Sequence, residues 1–201
     1  MIKNIIFDFG GVLVDWNPRY LYRQLFDNEA EMEDFLTKVC TSDWNEQQDE
    51  GRSLAEGTKA LSSCYPDKAA LIEAYYRRWE EMLGGVIAET VAILQTLKNS
   101  GQYQLYGLTN WSAETFPIAL KKFEFFELFD GIVVSGIEKM RKPDATFFQL
   151  LLDRYSLQAN ECLFIDDNPR NTAAALEFGI PSITFENAEG LWRTLKLRGL
   201  L

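Results

Sequence analysis

Five short apolar segments lie along the chain, and each is rich in β-branched, aliphatic or aromatic residues. Most lack the alternation of polar and apolar residues that marks a half-exposed strand, and such runs are typical of parallel strands buried on both faces. We therefore predict five strands, over residues 4–9, 104–109, 131–135, 162–166 and 182–185.

Helix signals separate the later strands. Ser112 is placed to cap a helix over residues 113–122. Pro143 suits the first position of another helix, and Gly179 suits the end of one that begins near Arg170. Strands that alternate with helices in this way predict an α/β fold with an open parallel sheet.

Residues 10–103 separate the first predicted strand from the second, and most of this stretch has helical patterning. Apolar side chains recur at helical spacing over residues 71–83, which favours the core of a helical bundle over a ligand cage. We predict a core domain of residues 1–15 and 86–201, with residues 16–85 inserted as a helical cap domain. The helix-start signals in the insertion are Asn17 with Pro18, the S-x-x-E capping box of Ser53 and Glu56, and Asp67 before residues 69–82.

The composition excludes several classes of function. The 201 residues include 20 Lys or Arg and 30 Asp or Glu, and a net charge of −10 gives no attraction for nucleic acid. The chain has no His, which removes Ser-His-Asp and Cys-His nucleophiles and His-rich zinc sites. The cysteines, Cys40, Cys64 and Cys162, are odd in number and lack C-x-x-C spacing, which suits a reducing compartment.

Membrane and export signals are also missing from the pattern. No apolar run approaches the ~20 residues that span a bilayer. Asp8 interrupts the apolar N-terminal stretch, which argues against a signal peptide. We expect a cytoplasmic protein, monomeric or homodimeric, that binds neither membranes nor nucleic acid.

Polar and charged residues follow the predicted strands at the points where the strands end. Ligands of open α/β sheets bind beyond the carboxyl ends of the strands. One edge of the sheet is therefore predicted to gather three carboxylates, a hydroxyl and a lysine. In chain order the residues at this edge are Asp8, Gly10, Gly11, Thr109, Asn110, Lys142, Asp166 and Asp167.

Each of these residues alone has an ordinary structural explanation. Asp8 could belong to the turn before the glycines, Thr109 could cap the next helix, and Lys142 could lie on the solvated surface. Asp166 and Asp167 resist this explanation, because adjacent carboxylates beside an apolar strand repel each other unless a cation lies near them. Mg²⁺ takes oxygen ligands, usually one or two carboxylates with water and phosphate. The cluster therefore predicts a Mg²⁺ site beside a cradle for a small anion.

The chain resembles the haloacid dehalogenase-like (HAD) hydrolase superfamily, whose four motifs appear in order at residues 7–13, 108–110, 141–144 and 164–167. The resemblance covers the whole chain. It implies a Rossmann-like parallel sheet of about five strands flanked by helices, with a helical-bundle cap inserted after the first strand. Most members are Mg²⁺-dependent phosphatases, so the resemblance also implies a small phosphorylated metabolite as substrate and Mg²⁺ as cofactor.

The resemblance assigns roles in phosphoryl transfer to four residues. Asp8 is implied to be the nucleophile that accepts the phosphoryl group as an aspartyl-phosphate. Thr109 and the backbone N–H of Asn110 would hold the phosphate oxygens. Lys142 would neutralise both the nucleophile and the transferring group.

The resemblance also implies a set of metal ligands. Asp167, with Asp166, would bind Mg²⁺ alongside the carboxylate of Asp8 and the backbone carbonyl of Gly10. Asn171 matches a position that supports such a site from the second layer of contacts.

One position departs from the family pattern. Most family phosphatases have an Asp two residues after the nucleophile, as general acid for the leaving group and then base for water, but here that position is Gly10. Positioned proton transfer is typically worth ~10²–10⁴ in rate, so a poor leaving group would suffer most. The replacements that the sequence offers are Asp15 in the first linker and Asp43, Asp49 and Glu50 in the predicted cap.

Family members without this acid are of two relevant kinds. The 2-haloacid dehalogenases attack carbon without a metal and lack the paired Asp motif, which this chain keeps. Sugar-phosphate phosphatases, including α-D-glucose-1-phosphate phosphatases, have a first motif similar to residues 8–13, and an anomeric phosphate has a more acidic leaving group. We favour the phosphatase, with a carbon-directed hydrolase and a catalytically weak binding relic as alternatives. The specificity candidates are Trp16, Trp44, Asn45 and Arg52.

Overall fold

The structure is a computed structural model that describes residues 1–201. Its strands are β1 (Asn4–Phe7), β2 (Val14–Trp16), β3 (Leu83–Val86), β4 (Gln104–Thr109), β5 (Gly131–Val134), β6 (Cys162–Asp166) and β7 (Ser182–Thr184). Five strands form one parallel sheet in the order β5-β4-β1-β6-β7. The other two, β2 and β3, pair antiparallel as a separate ribbon. All five predicted strands of the sheet are present, and three of them end one or two residues earlier than predicted.

Eleven α-helices accompany these strands. They are α1 (Arg19–Tyr22), α2 (Glu29–Lys38), α3 (Ser42–Asp49), α4 (Leu54–Cys64), α5 (Ala69–Arg77), α6 (Ala88–Asn99), α7 (Phe116–Lys122), α8 (Ser135–Glu138), α9 (Ala145–Tyr155), α10 (Pro169–Glu177) and α11 (Ala188–Leu197). None of these helices combines the length and the apolar character needed to cross a bilayer.

The central strand β1 is buried on both faces, as its continuous apolar run predicts. Ile5 and Phe7 pack into one core together with residues of α6, α7 and α11, whereas Ile6 packs into a second core with residues of α9 and α10. This alternation follows from the two-residue period of a strand. Helices therefore cover both faces of the sheet, and the predicted α/β fold is confirmed.

Parallel register places the ends of the three central strands side by side. Asn4 lies opposite both Gln104 of β4 and Cys162 of β6, and Phe7 lies opposite Gly107 and Ile165. Because the three strands run in the same direction in this register, the residues that follow them meet at one edge of the sheet.

Helices α1–α5 lie between the two strands of the ribbon, and we call residues 17–82 the helical insert. The insert has an aromatic core, in which the Tyr22 and Phe35 rings are 5.1 Å apart and the Trp44 and Tyr75 rings are 5.1 Å apart. The predicted domain boundaries fall within or beside the ribbon, and the division into two domains stays a prediction.

Some helix starts differ from the predictions. The helix expected over 113–122 begins at Phe116, because the Ser112 hydroxyl accepts a hydrogen bond from the Glu114 N–H in a turn that precedes the helix. Pro143 lies outside α9, whose N-cap is Asp144. The Ser53 capping box is present, and Gly179, with φ of +98°, follows the end of α10 as predicted.

The helix expected over 69–82 is also shorter than predicted. It ends at Arg77 and is followed by a 3₁₀ turn over Trp79–Met82. Asp67 does not cap this helix, because it lies inside a preceding 3₁₀ turn over Pro66–Lys68. Asn17 accepts a hydrogen bond from the Arg19 N–H, so α1 begins one residue later than the Asn17–Pro18 signal predicts.

Candidate active site

Asp8 lies directly beyond the end of β1, where its backbone and side chain are both held. Its N–H donates to the carbonyl of Ile165 at 2.8 Å, which continues the contact between β1 and β6 past the last strand residue. Its Oδ1 accepts a 2.7 Å hydrogen bond from the N–H of Phe9. The carboxylate is almost entirely buried; the Phe9 N–H holds Oδ1, and Oδ2 lies 3.0 Å from the Lys142 ammonium.

Lys142 is buried and bridges the ends of three strands. Its Nζ lies 3.0 Å from Asp8 Oδ2 and 2.7 Å from Asp166 Oδ2, and it donates to the carbonyl of Leu108 at 2.8 Å. Nζ therefore donates hydrogen bonds to Leu108 and Asp166, and its contact with Asp8 is an ion pair. Burial alone would lower the pKa of Lys142, but the charges of Asp166 and Asp8 outweigh it and raise that pKa. Lys142 is therefore charged in this site and is not a surface lysine.

The side chain of Asn110 fixes the backbone of Lys142. Its Nδ2 donates to the Lys142 carbonyl at 2.9 Å, and its Oδ1 accepts from the Lys142 N–H at 2.8 Å. The backbone hydrogen bonds outside helices and strands do not use the Asn110 N–H. The amide side chain is thus committed to Lys142, while the backbone N–H remains for an anion.

Asp166 is completely buried, and both of its carboxylate oxygens are occupied. In addition to the Lys142 contact, Oδ1 accepts from the Asn168 N–H at 2.8 Å, and the Asn171 amide donates to both oxygens at 3.1 Å. Asn171 lies on the first turn of α10, which Asn168 caps. This network holds Asp166 against Lys142 and explains how its charge is tolerated in the core.

Three carboxylates meet at this edge of the sheet. One oxygen from each of Asp8, Asp166 and Asp167 lies within 4.8 Å of the others. Asp167 is exposed and packs against Gly11, which has a φ of +73° and where a Cβ would overlap the Asp167 carboxylate. Glycine is therefore needed at that position both for its conformation and for the close approach.

The carboxylates carry more charge than Lys142 can balance. Burial, together with the neighbouring charges of Asp166 and Asp167, raises the pKa of Asp8 to about 7 against the opposing influence of Lys142. Burial and then Asp166 also raise the pKa of Asp167. A cluster with this excess negative charge and oxygen donors fits a hard divalent cation, and Asp8 and Asp167 have oxygens available for it.

Thr109, the last residue of β4, places a hydroxyl beside this cluster. It is 1% exposed, and its Oγ1 has no hydrogen-bond partner in the chain. An unpaired buried hydroxyl costs free energy unless a ligand supplies the partner. Thr109 therefore fits an anion site together with the N–H of Asn110.

A cavity of about 90 Å³ adjoins the cluster, between the sheet edge and the helical insert. Gly10 and Asn110 line it from the sheet, and Asn45, Asp49 and Tyr76 line it from the insert. Its remaining lining residues are Trp16, Trp79, Trp111, Ser112 and Thr115. The sheet edge and the helical insert therefore both contribute to the cavity, which has polar groups between aromatic side chains.

Comparison with known proteins places the chain in a family. Residues 2–179 match the haloacid dehalogenase-like hydrolases. The chain belongs to this family. It is therefore a hydrolase, and the resemblance seen in its four motifs is confirmed.

Relatives of this HAD-like hydrolase include proteins named as phosphatases. The sesquiterpene phosphatase astK of Aspergillus oryzae is 30% identical over 200 residues, which cover 99% of this chain and 96% of that protein. The N-acylneuraminate-9-phosphatase of Mus musculus is 24% identical over 157 residues, which cover 77% of this chain and 59% of that protein.

Among solved structures, a HAD family enzyme of Bacteroides thetaiotaomicron in complex with magnesium superposes with a TM-score of 0.71. The two chains are 25% identical, and the match covers 97% of this chain and 98% of the other. A HAD-like hydrolase of Porphyromonas gingivalis, 24% identical, has a TM-score of 0.73 and covers all of this chain and 98% of its own. These similarities confirm the fold of the HAD-like hydrolase.

The four acidic residues that were candidates for the missing general acid lie in different surroundings. Asp43 is exposed, and Glu50 pairs with Arg141 at 3.0 Å. Asp15 accepts a 2.6 Å hydrogen bond from the Tyr20 hydroxyl. Among the four acidic residues proposed to replace the missing acid, Asp49 is the one that lines the cavity.

The specificity candidates also separate. Trp16 and Asn45 line the cavity, whereas Trp44 is buried in the insert and donates from Nε1 to the carbonyl of Gly57 at 3.1 Å. Arg52 donates to Gln48 and Gln47 and is absent from the cavity lining.

Sequence reasoning missed several residues that line the cavity. Trp111 directly follows the strand-end residue Asn110, and this position was a signal that could have found it. Trp79 and Tyr76 belong to the aromatic stripe that we assigned wholly to the bundle core, and their spacing carries no sign of the part that faces the cavity.

Proposed function

We propose that the protein is a Mg²⁺-dependent phosphatase that hydrolyses a small phosphomonoester through an aspartyl-phosphate on Asp8. The observation that carries this proposal is the buried arrangement of Asp8, Lys142 and Asp166, with the Asp167 carboxylate beside it. The phosphatase relatives support it, as does a Bacteroides thetaiotaomicron HAD enzyme, 24% identical, that was solved with magnesium and inorganic phosphate.

The proposed nucleophile is well oriented for attack on phosphorus. Phe9 holds Asp8 Oδ1 through its N–H, and Lys142 lies 3.0 Å from Oδ2, so the carboxylate cannot rotate freely. In the first step, a carboxylate oxygen of Asp8 bonds to phosphorus as the bond from phosphorus to the leaving oxygen breaks. In the second step, water attacks the same phosphorus, and the bond between phosphorus and Asp8 breaks.

Three groups are placed to hold the phosphate oxygens. They are the unpaired hydroxyl of Thr109, the free N–H of Asn110 and the ammonium of Lys142. Fixed donors of this kind stabilise charge that develops in the transition state and need no reorganisation during the reaction. Asn110 acts twice, because its side chain also fixes the backbone of Lys142.

The residues proposed to hold Mg²⁺ are Asp8, Asp167 and the backbone carbonyl of Gly10, with Asp166 behind them. Asp166 already accepts hydrogen bonds on both oxygens, so its main contribution is to hold Lys142 and add negative charge. A bound Mg²⁺ would offset the charge of these carboxylates and of the phosphate oxygens.

Asp167 favours phosphoryl transfer over displacement at carbon. The chain accommodates its carboxylate against the backbone of Gly11, next to Asp8. A carbon–halogen displacement needs no metal, so it would give this exposed carboxylate no function. We therefore propose the phosphatase and not the dehalogenase.

The volume and the lining of the cavity beside the cluster favour one kind of substrate. Pockets for drug-sized ligands measure about 300–1,000 Å³, so a cavity of about 90 Å³ suits a small leaving group. Aromatic walls such as Trp79 and Trp111 pack against apolar faces, and Asn45 and Ser112 offer hydrogen bonds to hydroxyls. These features favour a small sugar phosphate as the substrate.

The test is hydrolysis of p-nitrophenyl phosphate in Mg²⁺ and in EDTA. We expect turnover that needs Mg²⁺ and that Asp8→Asn abolishes, while Asp153→Asn, a change at an exposed carboxylate, retains it. Thermal unfolding of both variants shows whether they are folded. If Asp8→Asn is folded and as active as the wild type, the proposed nucleophile is wrong. If the wild type is inactive and instead releases halide from 2-haloacids, the phosphatase proposal is wrong.

A further inference from the structure

The missing acid leaves a gap in the proposed reaction. Gly10 carries no proton donor, and a Cβ at this position would have no atom within 4 Å. The backbone there does not have a positive φ, so nothing in the local conformation demands glycine. The space that a carboxylate would occupy therefore lies open beside the cavity, and Gly10 itself lines that cavity.

Asp49 is the one acidic residue among the cavity lining. It is the last residue of α3, so it reaches the cavity from the helical insert, whereas Gly10 reaches it from the segment after β1. The cavity that it shares with Gly10 also borders Asn110, whose N–H is proposed to hold phosphate. Asp49 thus borders the same cavity as Gly10 and the proposed phosphate-binding residue Asn110.

Several contacts hold Asp49 in this position. Its Oδ2 accepts a 2.8 Å hydrogen bond from the Asn45 amide, and the Tyr76 hydroxyl holds Asn45 from the other side at 2.9 Å. Its backbone carbonyl accepts a short hydrogen bond from the Ser135 hydroxyl. Ser135 directly follows β5, so the sheet itself positions the end of α3.

We propose that Asp49 is the general acid and base of this phosphatase, in place of the carboxylate that is absent at Gly10. This inference rests on the proposed function. In the first step, the Asp49 proton moves to the leaving oxygen as its bond to phosphorus breaks and Asp8 is phosphorylated. In the second step, the Asp49 carboxylate takes a proton from the water that attacks phosphorus, and Asp8 leaves. Each cycle returns Asp49 to its protonated state.

The electrostatics of the site suit this role. Burial raises the pKa of the Asp49 carboxyl to about 8, with Glu46 and Asp8 adding to the increase. The N–H of Ser112 and the charge of Arg141 act in the opposite direction but do not outweigh it. At neutral pH the free enzyme therefore holds a proton on Asp49, as a general acid requires.

The experiment compares Asp49→Asn with the wild type over a series of phosphomonoesters. The series runs from p-nitrophenyl phosphate, which has a good leaving group, to alkyl and sugar phosphates, whose leaving groups need a proton. We measure kcat/KM, because it reports the steps up to phosphorylation of Asp8. We expect kcat/KM to fall ~10²–10⁴-fold for alkyl phosphates and far less for p-nitrophenyl phosphate. Asp43→Asn, at an exposed position of the same helix, should match the wild type throughout.

A second variant provides a rescue. Gly10→Asp in the Asp49→Asn background places a carboxylate in the open space at Gly10, which lines the same cavity, and we expect it to restore much of the lost activity toward alkyl phosphates. The base role has its own readout: with p-nitrophenyl phosphate, Asp49→Asn should accumulate the aspartyl-phosphate enzyme, which withstands an acid quench and is cleaved by hydroxylamine, because attack by water is slowed.

The outcomes separate this proposal from the proposed function. An equal loss of kcat/KM for every substrate would mean that Asp49 is structural, and no loss for alkyl phosphates would mean that another group supplies the proton; either result overturns the proposal. Both leave the phosphatase proposal intact as long as the wild type hydrolyses p-nitrophenyl phosphate with Mg²⁺ and Asp8→Asn does not.

Discussion

The two sides of the cavity are built by different physical means. On the sheet side, Lys142 and Asp166 are completely buried, and every polar atom of their charged groups has a partner. On the insert side, Asp49 is partly buried and is held by one amide and by contacts of the backbone. The groups that would bind phosphate are therefore set in the core of the fold, and the group that would serve the leaving oxygen is attached by fewer contacts.

The two sides of the cavity also differ in how much their charged residues contribute to stability. A buried charge that loses its partner is costly, so a change at Lys142 or Asp166 on the sheet side should lower the free energy of unfolding. Residues on the insert side interact through partly exposed pairs, such as Arg141 with Glu46 and Glu50 at 2.7 and 3.0 Å. Such pairs contribute little to stability, so changes on the insert side should cost less folding free energy than changes at Lys142 or Asp166.

Lys142→Met should give the largest effect, because it removes the one cation from the buried cluster. Asp8 and Asp166 would then face each other without a positive charge. We expect the free energy of unfolding to fall by about 3–5 kcal/mol, measured by urea denaturation, together with loss of phosphatase activity. Lys121→Met, a change at an exposed lysine of α7, is the control and should change stability by less than about 0.5 kcal/mol.

A small loss of stability in Lys142→Met would contradict the proposed difference in constraint between the sheet side and the insert side. It would mean that the carboxylates relax or take up protons at little cost, and that the sheet side is no more tightly constrained than the insert side.

Much of the sheet side could be predicted from the sequence, because it depends on local signals. Continuous apolar runs locate strands, parallel strands align their carboxyl ends, and so Asp8, Thr109 and Asp166 were predicted to lie together. The hydrogen-bond partners of these side chains could not be predicted from the sequence. Nothing in the pattern indicates that Asn110 clamps the backbone of Lys142, because that contact depends on how the loop after β5 folds back.

The insert side was predicted less completely, because it depends on how two parts of the chain dock. Asp43, Asp49 and Glu50 are equivalent acidic residues in the sequence. The contact of Ser135 with the end of α3, together with the pairing of Arg141, decides which of them enters the cavity. These contacts join residues that are far apart in the chain, and no local spacing records them.

Mg²⁺ should have an intermediate effect, and it should depend on the sheet side alone. An ion that binds the folded state stabilises it, by about 2.7 kcal/mol at 100 times Kd, which for a chain of this length corresponds to roughly 5–10 °C in Tm. We expect this increase between EDTA and saturating Mg²⁺ in the wild type and in Asp49→Asn, measured by thermal unfolding.

Asp167→Asn should lose most of the Mg²⁺-dependent increase in Tm, because Asp167 is the exposed carboxylate of the cluster. If Asp167→Asn keeps the full increase, the ion binds elsewhere. If the wild type melts at the same temperature in both conditions, the three carboxylates do not form a Mg²⁺ site.

Arg141→Gln should have the smallest effect, and it tests the attachment of the insert. Arg141 pairs with Glu46 and Glu50, one on α3 and one directly after it, and all three side chains are partly exposed. Exposed pairs are worth about 0.2–1 kcal/mol, so we expect a loss of stability of this size and an increase in KM of at most about fivefold, with kcat little changed.

The matched control is Arg154→Gln, which removes the pair with Glu138, 2.8 Å away, outside the insert. Both variants should lose similar stability in urea denaturation, but KM should rise in Arg141→Gln alone, because its pair joins the insert to the sheet. An equal KM in the two variants would mean that the insert is held as firmly as the core, and the contrast between the two sides of the cavity would no longer stand.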